Sequence, residues 1–291
     1  MLPCEMLRIR HSDHYEAFAR LWLPRSPRGA VLYLHGIQSH GLWFEASAAH
    51  LAEAGFAVLL PDRRGSGRNE VERGHASSAR LLLRDVADGL DELHVRTGLP
   101  RFHLLGVSWG GKLAAAFWNH APARVATLTL VAPGLFPRVD VPLTQKIRIG
   151  LASVVARRKL VDIPLDEPEL FTANPARQAF IRSDKLKLSR ATVAFMLASR
   201  RLDARVARLA RHSPGCPLKV FLAGRDRIID NEKTKAFVRS LPWPTRGVVE
   251  YPEAHHTIEF EPDPRPFLDD LVAWMSSQAD VKSGEVLAAG P

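Results

Sequence analysis

Residues 106–110 read Gly106-Val107-Ser108-Trp109-Gly110. They stand between an extended apolar run, Phe102-His103-Leu104-Leu105, and a helix-forming stretch that begins Gly111-Lys112-Leu113-Ala114. A turn sharp enough to feed a strand directly into a helix leaves no room for a Cβ at its flanking positions, so glycine is needed there. The residue at the apex then holds its side chain clear of the sheet. It also lies at a helix N-terminus, whose dipole favours developing negative charge. This is the geometry of a nucleophile elbow, with Ser108 as the nucleophile. A glycine-rich turn with an incidental serine is the alternative, and the strand–turn–helix context weighs against it.

An elbow serine needs a general base, and the base needs an acid to orient it. On a sheet built around such an elbow the order along the chain is Ser, acid, His. A strand is expected over 218–224, and Arg225-Asp226-Arg227 follows it directly. Asp226 lies nearer that strand end than Asp230, which is placed to cap a helix beginning near Asn231. Another strand is expected over 247–251, followed by Pro252-Glu253-Ala254-His255-His256. On spacing alone either histidine could be the base. Ser108, Asp226 and the histidine pair all fall just past C-terminal strand ends, where open α/β sheets put their sites.

With these segments and two others, the chain resembles the α/β-hydrolase superfamily, and within it the monoacylglycerol lipase and lysophospholipase-like branch. The other two are His35-Gly36-Ile37-Gln38-Ser39-His40 and Gly55-Phe56-Ala57-Val58-Leu59-Leu60-Pro61-Asp62-Arg63-Arg64-Gly65-Ser66-Gly67. The resemblance covers residues 5–136 and 215–275 and is weak between them. It implies an α/β-hydrolase fold, a Ser-His-Asp acyl-enzyme mechanism and carboxylic-ester substrates, with monoacylglycerol- or lysophospholipid-like monoesters favoured. It places the base two residues before Ile258, which selects His256 over His255. The implied triad is then Ser108, His256 and Asp226. The implied oxyanion donors are the backbone N–H groups of Trp109, the residue after the nucleophile, and Ile37, just past His35-Gly36. His35 is expected to orient that loop and Asp62 to brace its neighbour. Trp43 and Phe44, close to the loop in sequence, are candidate substrate-binding walls.

A serine at the apex sets aside the dehalogenase and epoxide hydrolase chemistries of this fold, which use aspartate. No cofactor or metal is expected: the twelve histidines are scattered, and neither H-E-x-x-H nor paired cysteine spacing occurs. The same triad could instead serve a thioesterase, an acyltransferase or a C–C bond hydrolase, which competing alcohols or a diketone substrate would separate. A non-catalytic small-molecule binder is disfavoured, because every catalytic residue type is in place.

The layout is an α/β-hydrolase core in two parts, 1–136 and 215–278, a helical cap insert over 137–214, and a flexible tail over 279–291. Two antiparallel strands are expected over 6–10 and 15–23. The strands ending at Gly36, Asp62, Gly106, Pro133, Gly224 and Glu253 complete a mostly parallel sheet, covered by helices near 43–54, 78–95, 109–119, 232–240 and 266–275. Helices in the insert are signalled over 144–157, 175–181 and 190–198. Leu143, Ile147, Leu151, Val154 and Val155 form an apolar stripe there, suited to packing or to an acyl channel.

Charge is concentrated in the insert. Residues 138–213 hold twelve arginines, four lysines and seven acids, which accounts for the whole formal net charge of +9. Such a surface could draw anionic lipid toward the site or stand simply as a solvated face. Nucleic acid is not an expected partner, since no recognition motif is present. The N-terminus lacks the apolar core of a signal peptide, no apolar run reaches membrane-span length, and the two cysteines, Cys4 and Cys216, fit no motif. A cytoplasmic location is the corresponding expectation.

Overall fold

The computed structural model describes residues 2–139, 156–211 and 215–288. Among them, an eight-stranded sheet forms from β1 (Cys4–Arg10), β2 (Glu16–Trp22), β3 (Gly29–Leu34), β4 (Phe56–Pro61), β5 (Phe102–Val107), β6 (Val125–Val131), β9 (Leu218–Ala223) and β10 (Arg246–Tyr251). The spatial order is β1-β2-β4-β3-β5-β6-β9-β10. The first two strands run antiparallel and the other six are mutually parallel, as the alternation of apolar runs and helical stretches predicts. Central strands β3 and β5 are buried at every residue, because helices cover both faces of a parallel sheet. Edge strand β1 exposes most of its residues.

Helices α1 (Glu45–Glu53), α2 (Ala79–Thr97), α3 (Trp109–Trp118), α6 (Asn231–Ser240) and α7 (Arg265–Ala288) flank the sheet. Helix α3 follows the elbow and is buried along its whole length, so its alanines and leucine are packing surface, not an amphipathic face. Helix α2 is the amphipathic case, with Leu82, Leu83, Val86, Leu90 and Leu93 turned inward. It starts on the Ser78 side chain, which accepts from the Leu81 N–H, and stops at left-handed Gly98.

Strands β6 and β9 are neighbours in the sheet, pairing Leu128 with Leu218, although 86 residues lie between Val131 and Leu218.

 The intervening segment holds a two-stranded antiparallel sheet, β7 (Leu160–Asp162) with β8 (Arg190–Thr192), and helices α4 (Pro175–Ser183) and α5 (Val193–Val206). Periodicity predicts a helix over 190–198, but the chain is a strand through Thr192 and helical only from Val193. The Thr192 hydroxyl accepts from the Phe195 N–H, so the threonine acts as the cap that starts the helix. The helix expected over 144–157 falls outside the described residues except for its last two positions, and the apolar stripe of Leu143, Ile147, Leu151, Val154 and Val155 lies outside them too.

The tail also departs from expectation. Instead of loosening at 279, α7 runs on to Ala288. No proline interrupts that stretch, and extending a formed helix costs far less than nucleating one. Among the described residues no helix is long and apolar enough to cross a membrane.

Candidate active site

Ser108 stands between β5 and α3 with φ 54° and ψ −122°, a backbone state that L residues rarely adopt. The flanking glycines make the turn possible. A Cβ on Gly110 would lie 2.1 Å from the Leu34 carbonyl oxygen, and one on Gly106 would lie 2.4 Å from that of Gly110. The Ser108 N–H donates to the Val131 carbonyl at 2.9 Å, and its own carbonyl accepts from Gly134 at 2.7 Å and Gly111 at 2.9 Å. Strain at one residue is thus held by bonds to β6, the loop after it and the first turn of α3.

His256 follows β10 and is buried. Its Nδ1 lies 2.7 Å from Asp226 Oδ2, and its Nε2 lies 2.9 Å from Ser108 Oγ. A carboxylate only accepts, so Nδ1 carries the proton and Nε2 is left to accept from the serine hydroxyl. The second Asp226 oxygen accepts from the N–H groups of Ile228 at 2.7 Å and Ile229 at 2.9 Å, which fixes the carboxylate plane. The two rival residues are engaged elsewhere. His255 bonds through Nδ1 to Glu261 at 3.0 Å. Asp230 caps α6 by accepting from the Lys233 N–H at 3.0 Å.

The loop after β3 closes over the serine. A Cβ on Gly36 would lie 3.0 Å from Ser39 Oγ and 3.4 Å from Ser108 Cβ, so this backbone passes close to the serine with little room for a side chain. His35 Nδ1 donates to the Gly36 carbonyl at 2.8 Å, and its Nε2 accepts from the Arg63 N–H at 2.8 Å. Burial, with the nearby Arg63 charge, holds the His35 imidazole well below the usual histidine range, and so neutral. In a trans peptide the Ile37 N–H points opposite to the Gly36 carbonyl. Tying that carbonyl to His35 therefore turns the Ile37 N–H away from the imidazole. Asp62 is a brace, accepting from the Gly41 and Arg68 N–H groups at 2.7 and 2.8 Å and from Arg20 at 3.2 Å.

Beside Ser108 lies a cavity of about 500 Å³. Its walls are mostly apolar, with Leu135, Ile163, Leu165, Met196 and Ile229 among them. Its polar groups include Ser199, which accepts from Trp109 Nε1 at 2.9 Å, and the buried Lys112, whose Nζ lies 2.6 Å from Asp203. Ile37 and Trp109 line this cavity; Trp43 and Phe44 do not. They border a small recess that Ser108, Ile37 and His256 also line. Trp43 is edge-on to Phe171 and Phe180 and donates through Nε1 to Asp184 at 2.8 Å, which also pairs with His40 at 2.9 Å. Asp184 thereby ties the insert to the loop after β3, and Trp43 is held as packing at that seam.

Three groups had no signal in the sequence. Arg63 is almost fully buried against the Trp109 and Phe195 rings, Ser199 meets the Trp109 indole, and Glu259 is buried beneath Ser47. Each is an ordinary polar residue whose placement depends on a distant partner. Among the described residues one group has metal-like proximity, His11 with Asp85 and Asp88, and it includes no residue of this site. Arg64 forks onto both oxygens of Asp85, which occupies that carboxylate.

The chain matches the family model described as serine aminopeptidase, S33, over residues 25–263. It is 25% identical to the monoacylglycerol lipase of Mycolicibacterium smegmatis, covering 88% of this chain and 91% of that protein. It is 26% identical to the human monoglyceride lipase, covering 88% and 85%. In fold it is similar to the Paleococcus ferrophilus monoacylglycerol lipase, with a TM-score of 0.82 at 21% identity over 91% of this chain and 100% of that one. Since the family model spans well over half of its length, the chain belongs to the serine aminopeptidase S33 family and has the α/β-hydrolase fold.

Proposed function

We propose that the protein hydrolyses carboxylic monoesters with an apolar acyl chain, through a Ser108–His256–Asp226 acyl-enzyme mechanism. The observation that carries this reading is the continuous bond path from Asp226 through His256 to Ser108 Oγ, ending at the wall of an apolar cavity. His256 Nε2 takes the serine proton as Oγ attacks the ester carbonyl, and the charge that forms on the carbonyl oxygen is met by the N–H groups of Ile37 and Trp109. The protonated His256, held by Asp226, passes its proton to the departing alcohol. Water then attacks the acyl-enzyme by the same route, releasing the acid and restoring Ser108.

The relatives named as monoacylglycerol and monoglyceride lipases favour a glycerol monoester among candidate substrates. The cavity supports that class, because apolar walls suit an acyl chain while Ser199 and the Lys112–Asp203 pair offer polar contacts to hydroxyl groups. The basic insert, read as a cap over the site, would favour approach to anionic lipid. Stronger association with anionic than with neutral liposomes is the expected result, and equal association removes the idea.

The test is hydrolysis of p-nitrophenyl esters from acetate to palmitate by the wild type beside Ser108→Ala, with fluorophosphonate labelling of both. Turnover and labelling lost together in the variant support the reading. Labelling of Ser108 without turnover of any ester shifts the assignment to acyl transfer or C–C cleavage on the same triad.

A further inference from the structure

We propose that Arg63 is a positioning residue, holding both oxyanion-hole peptides in place and coupling them to helix α5. The inference rests on the reading that the Ile37 and Trp109 N–H groups form that hole.

Arg63 follows β4 directly after the bracing Asp62. Its guanidinium is nearly sealed from solvent, yet its Nη2–H donates to the Ile37 carbonyl at 2.9 Å. Among the described residues Nε and Nη1 have no partner. The guanidinium carbon lies 4.9 Å from the centroid of the Trp109 ring and 4.7 Å from that of Phe195. Burying a guanidinium with so few bonds is unfavourable compared with a leucine of similar bulk, so packing alone does not explain an arginine here.

The contacts themselves suggest the use. The Gly36–Ile37 peptide is held through its carbonyl by His35, and the next peptide, Ile37–Gln38, is held through its carbonyl by Arg63. With both planes fixed, Ile37 cannot rotate its N–H away from the serine. The same guanidinium lies against the side chain of Trp109, the residue that carries the second donor. Phe195 and Ser199, both on α5, complete the arrangement, the latter by accepting from Trp109 Nε1. Both donors are thus referred to one rigid, planar group, and that group is seated by a helix of the insert. Donors preorganised for the transition state act on the chemical step rather than on substrate binding.

The experiment compares wild type, Arg63→Met and Arg63→Lys for kcat and KM on p-nitrophenyl butyrate, and for inhibition by an alkylboronic acid that forms a tetrahedral adduct with the serine. Arg63→Met is expected to lower kcat about ten- to hundredfold, part of the loss seen when a whole oxyanion donor is removed. Boronate affinity falls by a similar factor and KM stays within about twofold. Arg63→Lys keeps the charge and one donor without the planar fork, and falls between; if the methionine variant does not fold, the lysine variant reads the same split. A raised KM at unchanged kcat, or wild-type kcat and boronate affinity, overturns the proposal. Ser108→Ala run alongside separates the two levels. An inactive Ser108→Ala with unaffected Arg63 variants removes only the role of Arg63, whereas an active Ser108→Ala removes the underlying mechanism as well.

Discussion

His256 Nε2 lies 2.9 Å from Ser108 Oγ, although 148 positions separate the two in the chain. The neighbouring His255 is turned to Glu261. His256→Ala is therefore expected to lower kcat by about 10⁴-fold or more, as loss of a triad base does. His255→Ala should stay within about tenfold of wild type, because its imidazole contributes only a hydrogen bond in the loop. Steady-state kinetics on one soluble ester decides the matter, and equal losses in both variants would contradict the assignment.

Met196 projects from α5 into the wall of the cavity. Met196→Trp should fill part of the volume available to an acyl chain and move the preferred ester to a shorter one. Each methylene displaced into water costs about 0.8 kcal/mol, or roughly fourfold in affinity. KM for the longest accepted esters should rise in those steps while acetate is unaffected. An unchanged chain-length profile would mean that the acyl chain takes another path.

Gly110 carries a stability prediction. Any Cβ there meets the backbone oxygens of Leu34 and His35, at 2.1 and 2.5 Å, so the end of β3 or the elbow itself would have to shift. Gly110→Ala should cost more than about 3 kcal/mol, above the usual range for a single substitution. Urea unfolding measures it, and a variant of wild-type stability would show that the turn can relax.

Glu259 gives a pH dependence with a defined sign. Burial is the main cause that pushes its carboxyl up from 4.5 to about 7, against the opposing bonds from Ser47. Between those two values the folded protein holds a proton that the unfolded chain has released. The associated stability is full below about pH 4.5, declines as pH rises and is lost above about pH 7. Its size is at most about 3 kcal/mol. Glu259→Gln should remove this slope and leave the protein more stable than wild type at pH 8, with little difference at pH 4.5. Parallel melting curves across that range would refute the buried, protonated state.

Much of the site was legible because its constraints are local. The glycines around Ser108 announce a turn that excludes a Cβ, and the apolar runs before Ser108, Asp226 and His256 announce strands that end beside one another. The same locality explains what was misread. Residues 190–192 have helical periodicity but are strand, since their ladder partners are Leu160–Asp162, about thirty positions earlier. For Trp43, what no local pattern reached is the approach of Asp184, Phe171 and Phe180 from segments far along the chain.

The sequence by itself determined the fold class, the strand–turn–helix at Ser108 and the residue types of the candidate triad, because backbone sterics and side-chain periodicity act over a few neighbouring positions. Tertiary structure decided how His255 and His256 are turned, one to Glu261 and the other to Ser108, why Arg63 is buried against Trp109 and Phe195, and why burial raises the Glu259 carboxyl. Those outcomes depend on contacts and on exclusion of water by segments far apart in the chain, and no local pattern encodes either.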